Sequence, residues 1–166
     1  MSNLGETLQA HRAAVEDFLA AAAAVPPARW RTPRAPGKWS PGQVAEHVAL
    51  AYEVNRGVLH GIPPGMQAPR LLRPLIRWLG LNPVLRRGRF IPGSSSPKAF
   101  RPSDTPASQP ELLARVRAAM EAFHADAGAA ESAALDHPFF GRLGLVDFVR
   151  LQEIHTRHHR GQIPSS

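Results

Sequence analysis

Apolar positions recur every three or four residues over four long stretches of this chain, and no stretch alternates as a half-buried strand would. The first spans residues 4–24, where Leu4, Leu8, His11, Val15, Phe18 and Ala22 form one stripe before Pro26-Pro27 ends it. The second opens on an explicit start signal. Ser40 can cap the free backbone N–H groups, Pro41 sits where no intrahelical donor is needed, and Gln43 completes a Ser-x-x-Gln capping box. Val44, His47, Val48, Ala51, Val54 and Val58 then line one face, with Glu46 and Glu53 opposite, until Gly61-Ile62-Pro63-Pro64-Gly65 breaks the helix. The third spans residues 109–132, starts at Ser108-Gln109-Pro110-Glu111, and turns Leu112, Val116, Ala119, Met120 and Phe123 inward. The fourth spans residues 143–163, and Leu145, Phe148, Leu151 and Ile163 share a face with His155 and His159.

The connection between the second and third helices, residues 62–107, is long and punctuated by proline from Pro63 to Pro106. Only short helical turns fit between those prolines. The best is 71–79, where Leu72, Leu75, Ile76 and Leu79 are expected to dock on the bundle with the arginines facing water. Gly93-Ser94-Ser95-Ser96 is its one low-complexity stretch. A connection of this length in a compact domain is a lid, a binding element or partly disordered, and here it is expected to wrap the bundle near the metal end. The pattern thus predicts an all-α fold, a four-helix bundle with a long Pro/Arg-rich connection between helices two and three. At 166 residues it fits one domain, 1–166, with enough chain to bury a core.

Composition narrows the chemistry. The chain has no cysteine, which excludes disulfides, Cys-ligated zinc and a protein thiolate nucleophile, so a metal would have to be held by His, Asp or Glu. Against 13 acidic residues stand 20 Lys and Arg, a formal charge of +7. The excess is local: Arg70, Arg73, Arg77, Arg86, Arg87, Arg89, Lys98 and Arg101 meet no acidic residue between them. Trp78, Phe90 and Phe100 interleave with this stretch, but its prolines prevent a long recognition helix, so nucleic-acid binding is the weakest reading. No apolar run is long enough for a membrane span, and no basic region precedes an apolar one at the start, so a cytoplasmic location is expected.

At roughly 100° per residue, His155 and His159 project from one helical face a turn apart, while His158 turns to its edge. Neutral imidazoles fixed at i and i+4 can close on one divalent ion, and a third ligand must come from another helix. His47 is the candidate, because an unpartnered polar ring on an apolar face would be costly to bury. Alone, any of the three reads as an ordinary core or surface histidine, and His155-Thr156-Arg157-His158-His159 would also suit a solvated helix end. Together, on two inward faces, they favour a metal site, with affinity expected to fall below pH ~6.5 where imidazole protonates. His11 also lies on an apolar stripe; it could face a substrate or support the site, but is expected to hydrogen-bond a carbonyl inside the bundle or lie near its end. His60, His124 and His137 are expected to be solvated, and Trp30, Trp39 and Trp78 to be packing anchors. Glu153 points to another helical face and is no general base for the site.

Gly37-Lys38-Trp39-Ser40-Pro41-Gly42-Gln43-Val44-Ala45-Glu46-His47-Val48 resembles the start of the second helix in the DinB-like superfamily of four-helix bundles. His155-Thr156-Arg157-His158-His159-Arg160-Gly161-Gln162-Ile163 is similar to that family's last-helix signature. The resemblance covers essentially the whole chain. It implies a metal ion (zinc, nickel, iron or manganese) held at one end of the core by His47, His155 and His159. It also implies, for some relatives, activation of a low-molecular-weight thiol such as bacillithiol or mycothiol for transfer to an electrophile. The basic, proline-rich insert departs from the plainest members, and it does not let a particular thiol be carried over.

Two functions follow as expectations. One is a metal-dependent thiol S-transferase or hydrolase acting on a small-molecule substrate, with an open metal position lowering the pKa of a bound thiol or water. The other is a non-catalytic metal-containing interaction module working through the 62–107 insert. A homodimer is expected from the habit of such bundles.

Overall fold

The computed structural model describes residues 3–62, 64–65, 67–90 and 97–164. Pro63, Pro92 and the Gly93-Ser94-Ser95-Ser96 stretch lie outside the described residues.

Local hydrogen bonds start each long helix. Asn3 opens α1 (Leu4–Ala23), accepting from the Glu6 N–H while Glu6 accepts from the Asn3 N–H, a capping box the apolar pattern does not announce. The box expected at α2 (Pro41–Leu59) is present: the Gln43 N–H donates to Ser40 Oγ at 3.3 Å and the Ser40 N–H to Gln43 Oε1 at 3.0 Å. Pro41 at the first helical position leaves no donor unsatisfied. Gly42 admits the preceding loop: a Cβ there would lie 2.9 Å from the Trp30 indole nitrogen and from Pro106. Through that contact Trp30 is buried, and its indole N–H donates to the Ala107 carbonyl.

In the insert, α3 (Arg73–Ile76) runs through a π-helical turn (Arg77–Leu81) into α4 (Asn82–Arg87). The third long helix, α5 (Gln109–Ala129), and the last, α6 (Leu145–Arg160), complete the bundle. Between those two lies an antiparallel hairpin, β1 (Ala134–His137) and β2 (Gly141–Gly144), with Ala134 opposite Gly144 and His137 opposite Gly141. The strandless reading is therefore corrected here. The ladder is four residues a side, too short for a period to register, and it ends the third helix before 132 and delays the last to Leu145. Gly141 closes the turn at φ +68°, a conformation that side chains resist.

Within the bundle α1 packs on α6 and α5, and α2 packs on α5 and, less extensively, on α6. The expected stripes meet in one core: Val15, Phe18, Val48, Tyr52, Val116, Met120, Phe123, Phe148 and Val149 are completely buried. Each large apolar side chain so buried stabilises the fold by roughly 1.5–3 kcal/mol before chain entropy is counted. The fold is all-α in class, with the hairpin as its small exception.

The insert lies against the bundle, but not on the face its leucines predict. Leu72, Leu75 and Leu79 are 48, 50 and 57% exposed, and Trp78, expected as an anchor, is 67% exposed. Buried instead are Arg73, Leu81 and Val84. The hairpin sets this phase. Arg73 donates to both Asp136 carboxylate oxygens at 3.2 Å, to the Ala68 carbonyl and to Gln67, while Arg77 donates to the Arg142 carbonyl. A guanidinium that finds several acceptors at a buried position outweighs leucine packing that could be realised only by rotating it away.

Candidate metal centre

The i, i+4 spacing on α6 places the His155 and His159 rings 4.5 Å apart between centroids, and α2 delivers His47 from across the bundle 4.5 Å from His159 and 5.0 Å from His155. Their inner nitrogens converge. His155 Nε2 lies 3.1 Å from His47 Nε2 and 3.1 Å from His159 Nε2, and one nitrogen from each ring falls within 4.8 Å of the others. Three nitrogens about 2.05 Å from one tetrahedral ion would sit ~3.3 Å apart, close to the 3.1 Å of the two separations from His155 Nε2. His47 and His159 are 4 and 5% exposed, as their predicted inward faces require. Trp39, expected as a packing anchor, covers the cluster with its ring 4.8 Å from that of His47 and stacked at 6.4 Å on that of His159.

The outer nitrogens fix the chemistry of the inner ones. His47 Nδ1–H donates to the Phe100 carbonyl at 2.5 Å, and His159 Nδ1–H donates to Gln162 Oε1 at 2.9 Å. With their protons so placed, both rings turn bare Nε2 lone pairs toward the common point. His155 cannot satisfy both: an Nε2–H serves one facing lone pair fully and leaves its own buried Nδ1 bare, and Nδ1 has no partner. A buried nitrogen left unsatisfied costs about 1–3 kcal/mol; a cation at the common point would take one Nε2 lone pair from each ring and so remove the conflict among the facing atoms, with His155 Nδ1 then carrying the proton. On donor type, spacing and tautomer the residues fit a divalent ion.

The sequence pattern did not identify the two partners of the outer nitrogens. Phe100 belongs to the exit of the insert, held against the start of α2 because the Ser103 N–H and Oγ–H donate to Glu46 and the Gln43 side chain donates to the Ser103 carbonyl. Gln162 carries a signal that was present in the last-helix motif, three residues beyond His159. Its amide nitrogen also donates to His158 Nε2 at 3.1 Å, which holds that half-buried ring off the shared point.

Burial keeps the cluster neutral. It drives the His155 pKa well below 6.5, with His159, His47 and His158 pushing the same way. His159 is lowered to about 3 by burial and then by His47, against the Gln162 hydrogen bond. His47 is lowered by burial despite its bond to Phe100.

A cavity of ≈ 780 Å³ opens beside the three rings. Phe90, Phe100, Phe139, Phe140 and Leu151 make it apolar, Asn55 and Gln152 contribute amides, and Arg34 and Lys38 are its cationic residues. No carboxylate lines it among the described residues. Phe90, Phe100, Pro64 and Ile76 come from the insert, which therefore does lie at the histidine end. Glu153 is engaged by Arg157 one turn on, away from the cavity.

Three of the other histidines, His137, His124 and His11, depart from expectation. His137 is 6% exposed, stacked 4.5 Å from Phe140, with its Nδ1 accepting the Phe139 N–H, because the hairpin turn folds it inward. His124 is half-buried, since its Nε2–H donates to His11 Nδ1 at 2.8 Å. His11 finds no carbonyl. Its Nε2–H donates to the Tyr52 hydroxyl at 3.1 Å, Tyr52 donates to Thr156, and Thr156 donates to the Gln152 carbonyl at 2.8 Å, a polar chain through the core with every step directed. His60 remains largely exposed and bonds Asp126.

Residues 9–163 match the family model of the DinB superfamily. No curated protein and no solved structure matches the chain.

Proposed function

The chain belongs to the DinB superfamily, and on that premise we propose that it is a divalent-metal protein that uses His47, His155 and His159 as neutral Nε2 ligands to activate a small thiol for transfer to an electrophile. The observation that carries this reading is the convergence of three Nε2 atoms, two of whose outer nitrogens are already committed to Phe100 and Gln162. A metal bound there would supply a Lewis acid that lowers the pKa of a coordinated thiol or water.

The protein's own residues prepare the surroundings. Trp39 and the phenylalanines at 90, 100, 139 and 140 give the rings an apolar surround, which strengthens charge interactions inside. Gln152, 3% exposed and accepting from the Asn55 amide, lines the cavity, and Arg34 with Lys38 at the wall favours an anionic group on the ligand. With no carboxylate in the lining among the described residues, a thiol proton would leave through the ligand itself, through solvent or through the neutral His158.

Elemental analysis of purified protein, followed by thiol-transfer assays on the metal-loaded form, tests the proposal. One divalent ion per chain, lost in His155→Ala and His159→Ala, together with metal-dependent thiol consumption, is the expected result. Metal without turnover would leave the non-catalytic reading. Metal retained by both variants would remove the site.

A further inference from the structure

We propose that the exposed face of α3, the π turn and α4 docks on an anionic lipid surface. Leu71, Leu72, Leu75, Trp78 and Leu79 leave water-facing 95, 48, 50, 67 and 57% of their surface, an unusual concentration of large apolar side chains on one short segment. The segment cannot roll inward to bury them, because Arg73 is pinned to Asp136, Ala68 and Gln67, and Leu81 and Val84 are seated in the core.

The charges around this face select the occupant. Arg70, Arg86, Arg87 and Arg89 are exposed and make no ion pair among the described residues, and the sequence has no Asp or Glu from residue 54 to residue 103. A second copy seated face to face would set arginines against arginines without a carboxylate from this segment between them. Anionic headgroups answer the arginines, and the acyl boundary takes the leucines, with Trp78 at the level where indoles settle. The α3–α4 helix is too short to span, and no described helix is long and apolar enough to cross a membrane, so the contact is a surface one.

Sedimentation of the full chain with vesicles tests this. Vesicles of phosphatidylcholine and phosphatidylglycerol in equal parts are expected to carry the protein down, with phosphatidylcholine alone leaving it in solution and high salt releasing it. Tryptophan emission should shift to the blue with the mixed vesicles, and Trp78→Phe should abolish that shift. Leu71→Ser with Leu75→Ser, and separately Arg86→Glu with Arg87→Glu, are expected to weaken binding at least ~10-fold. These sites are exposed, so circular dichroism should be unchanged. Equal binding to both vesicles, or none, overturns the proposal. So does a wild-type dimer by light scattering that the leucine variant splits while vesicles capture neither form; the occupant would then be a second copy.

Discussion

His159 and Gln162 are bound to each other at 2.9 Å, Nδ1 to Oε1, across one turn at the end of α6. That bond determines which nitrogen of His159 faces His47 and His155, and hence that the inward one carries a lone pair. An apparently peripheral amide thereby sets the tautomer of a buried ring.

Removing the amide should loosen the ring without removing it. Gln162→Ala is expected to weaken divalent-metal affinity about 10- to 100-fold, the usual cost of losing a partner that orients a ligand, whereas His159→Ala should abolish measurable binding. His158→Ala, off the shared point, should change it little. Chelator-competition titrations at neutral pH would rank the three variants. Equal affinity of Gln162→Ala and wild type would show that the bond does not orient the ligand.

The neutral state of the cluster changes the expected pH dependence of binding. Imidazoles at their free pKa would be about three-quarters protonated at pH 6 and would have to release protons to the buffer. Here burial holds His47 below 6.5, His155 well below it and His159 at about 3, so the cluster has fewer protons to release at pH 6 than three free imidazoles would. The fall in affinity expected just below pH 6.5 is therefore displaced to more acid solution. Calorimetry at pH 6 in two buffers of different ionisation enthalpy should give binding heats that differ by less than proton release from three free imidazoles would require.

Acid should destabilise the fold well before carboxylates titrate. His11, lowered to about 3 by burial and by His124 and Arg12, and His137, lowered to about 4 by burial and Arg73, are neutral in the native state across the range in which they charge when unfolded. The unfolded chain thus binds more protons as pH drops below ~6.5, and native stability falls until the folded pKa values are reached. Each such histidine contributes a slope of about 1.4 kcal/mol per pH unit between roughly pH 6 and pH 4. Urea midpoints should drop steeply over this window. His137→Phe should flatten the slope by one proton.

The phase of the insert helix is testable by truncation. Leu81→Ala, at a site 1% exposed, should cost about 2–5 kcal/mol, while Leu79→Ala, 57% exposed, should fall within about 0.5 kcal/mol of wild type. Denaturant unfolding of both decides the matter. The reverse order would restore the face expected from the leucine spacing.

The sequence by itself determined what a few neighbouring residues can decide. The Ser40–Gln43 cap, the stripes from Val15 to Ala22 and from Leu112 to Phe123, and the pairing of His155 with His159 all rest on hydrogen bonds or periodicity within one helix, and all are present. The inward face of His47 was legible in the same way. Only the tertiary structure decided what that face would meet. It brought His47 Nε2 to 3.1 Å from His155, placed the Phe100 carbonyl behind it, and buried His137 under a hairpin too short to show a period. The insert is the plainest case: its leucines predicted one face, but Arg73 found Asp136 and two further acceptors on the other, and the helix followed the arginine. Periodicity records which side of a helix is apolar, whereas the side that is buried depends on partners supplied from distant parts of the chain.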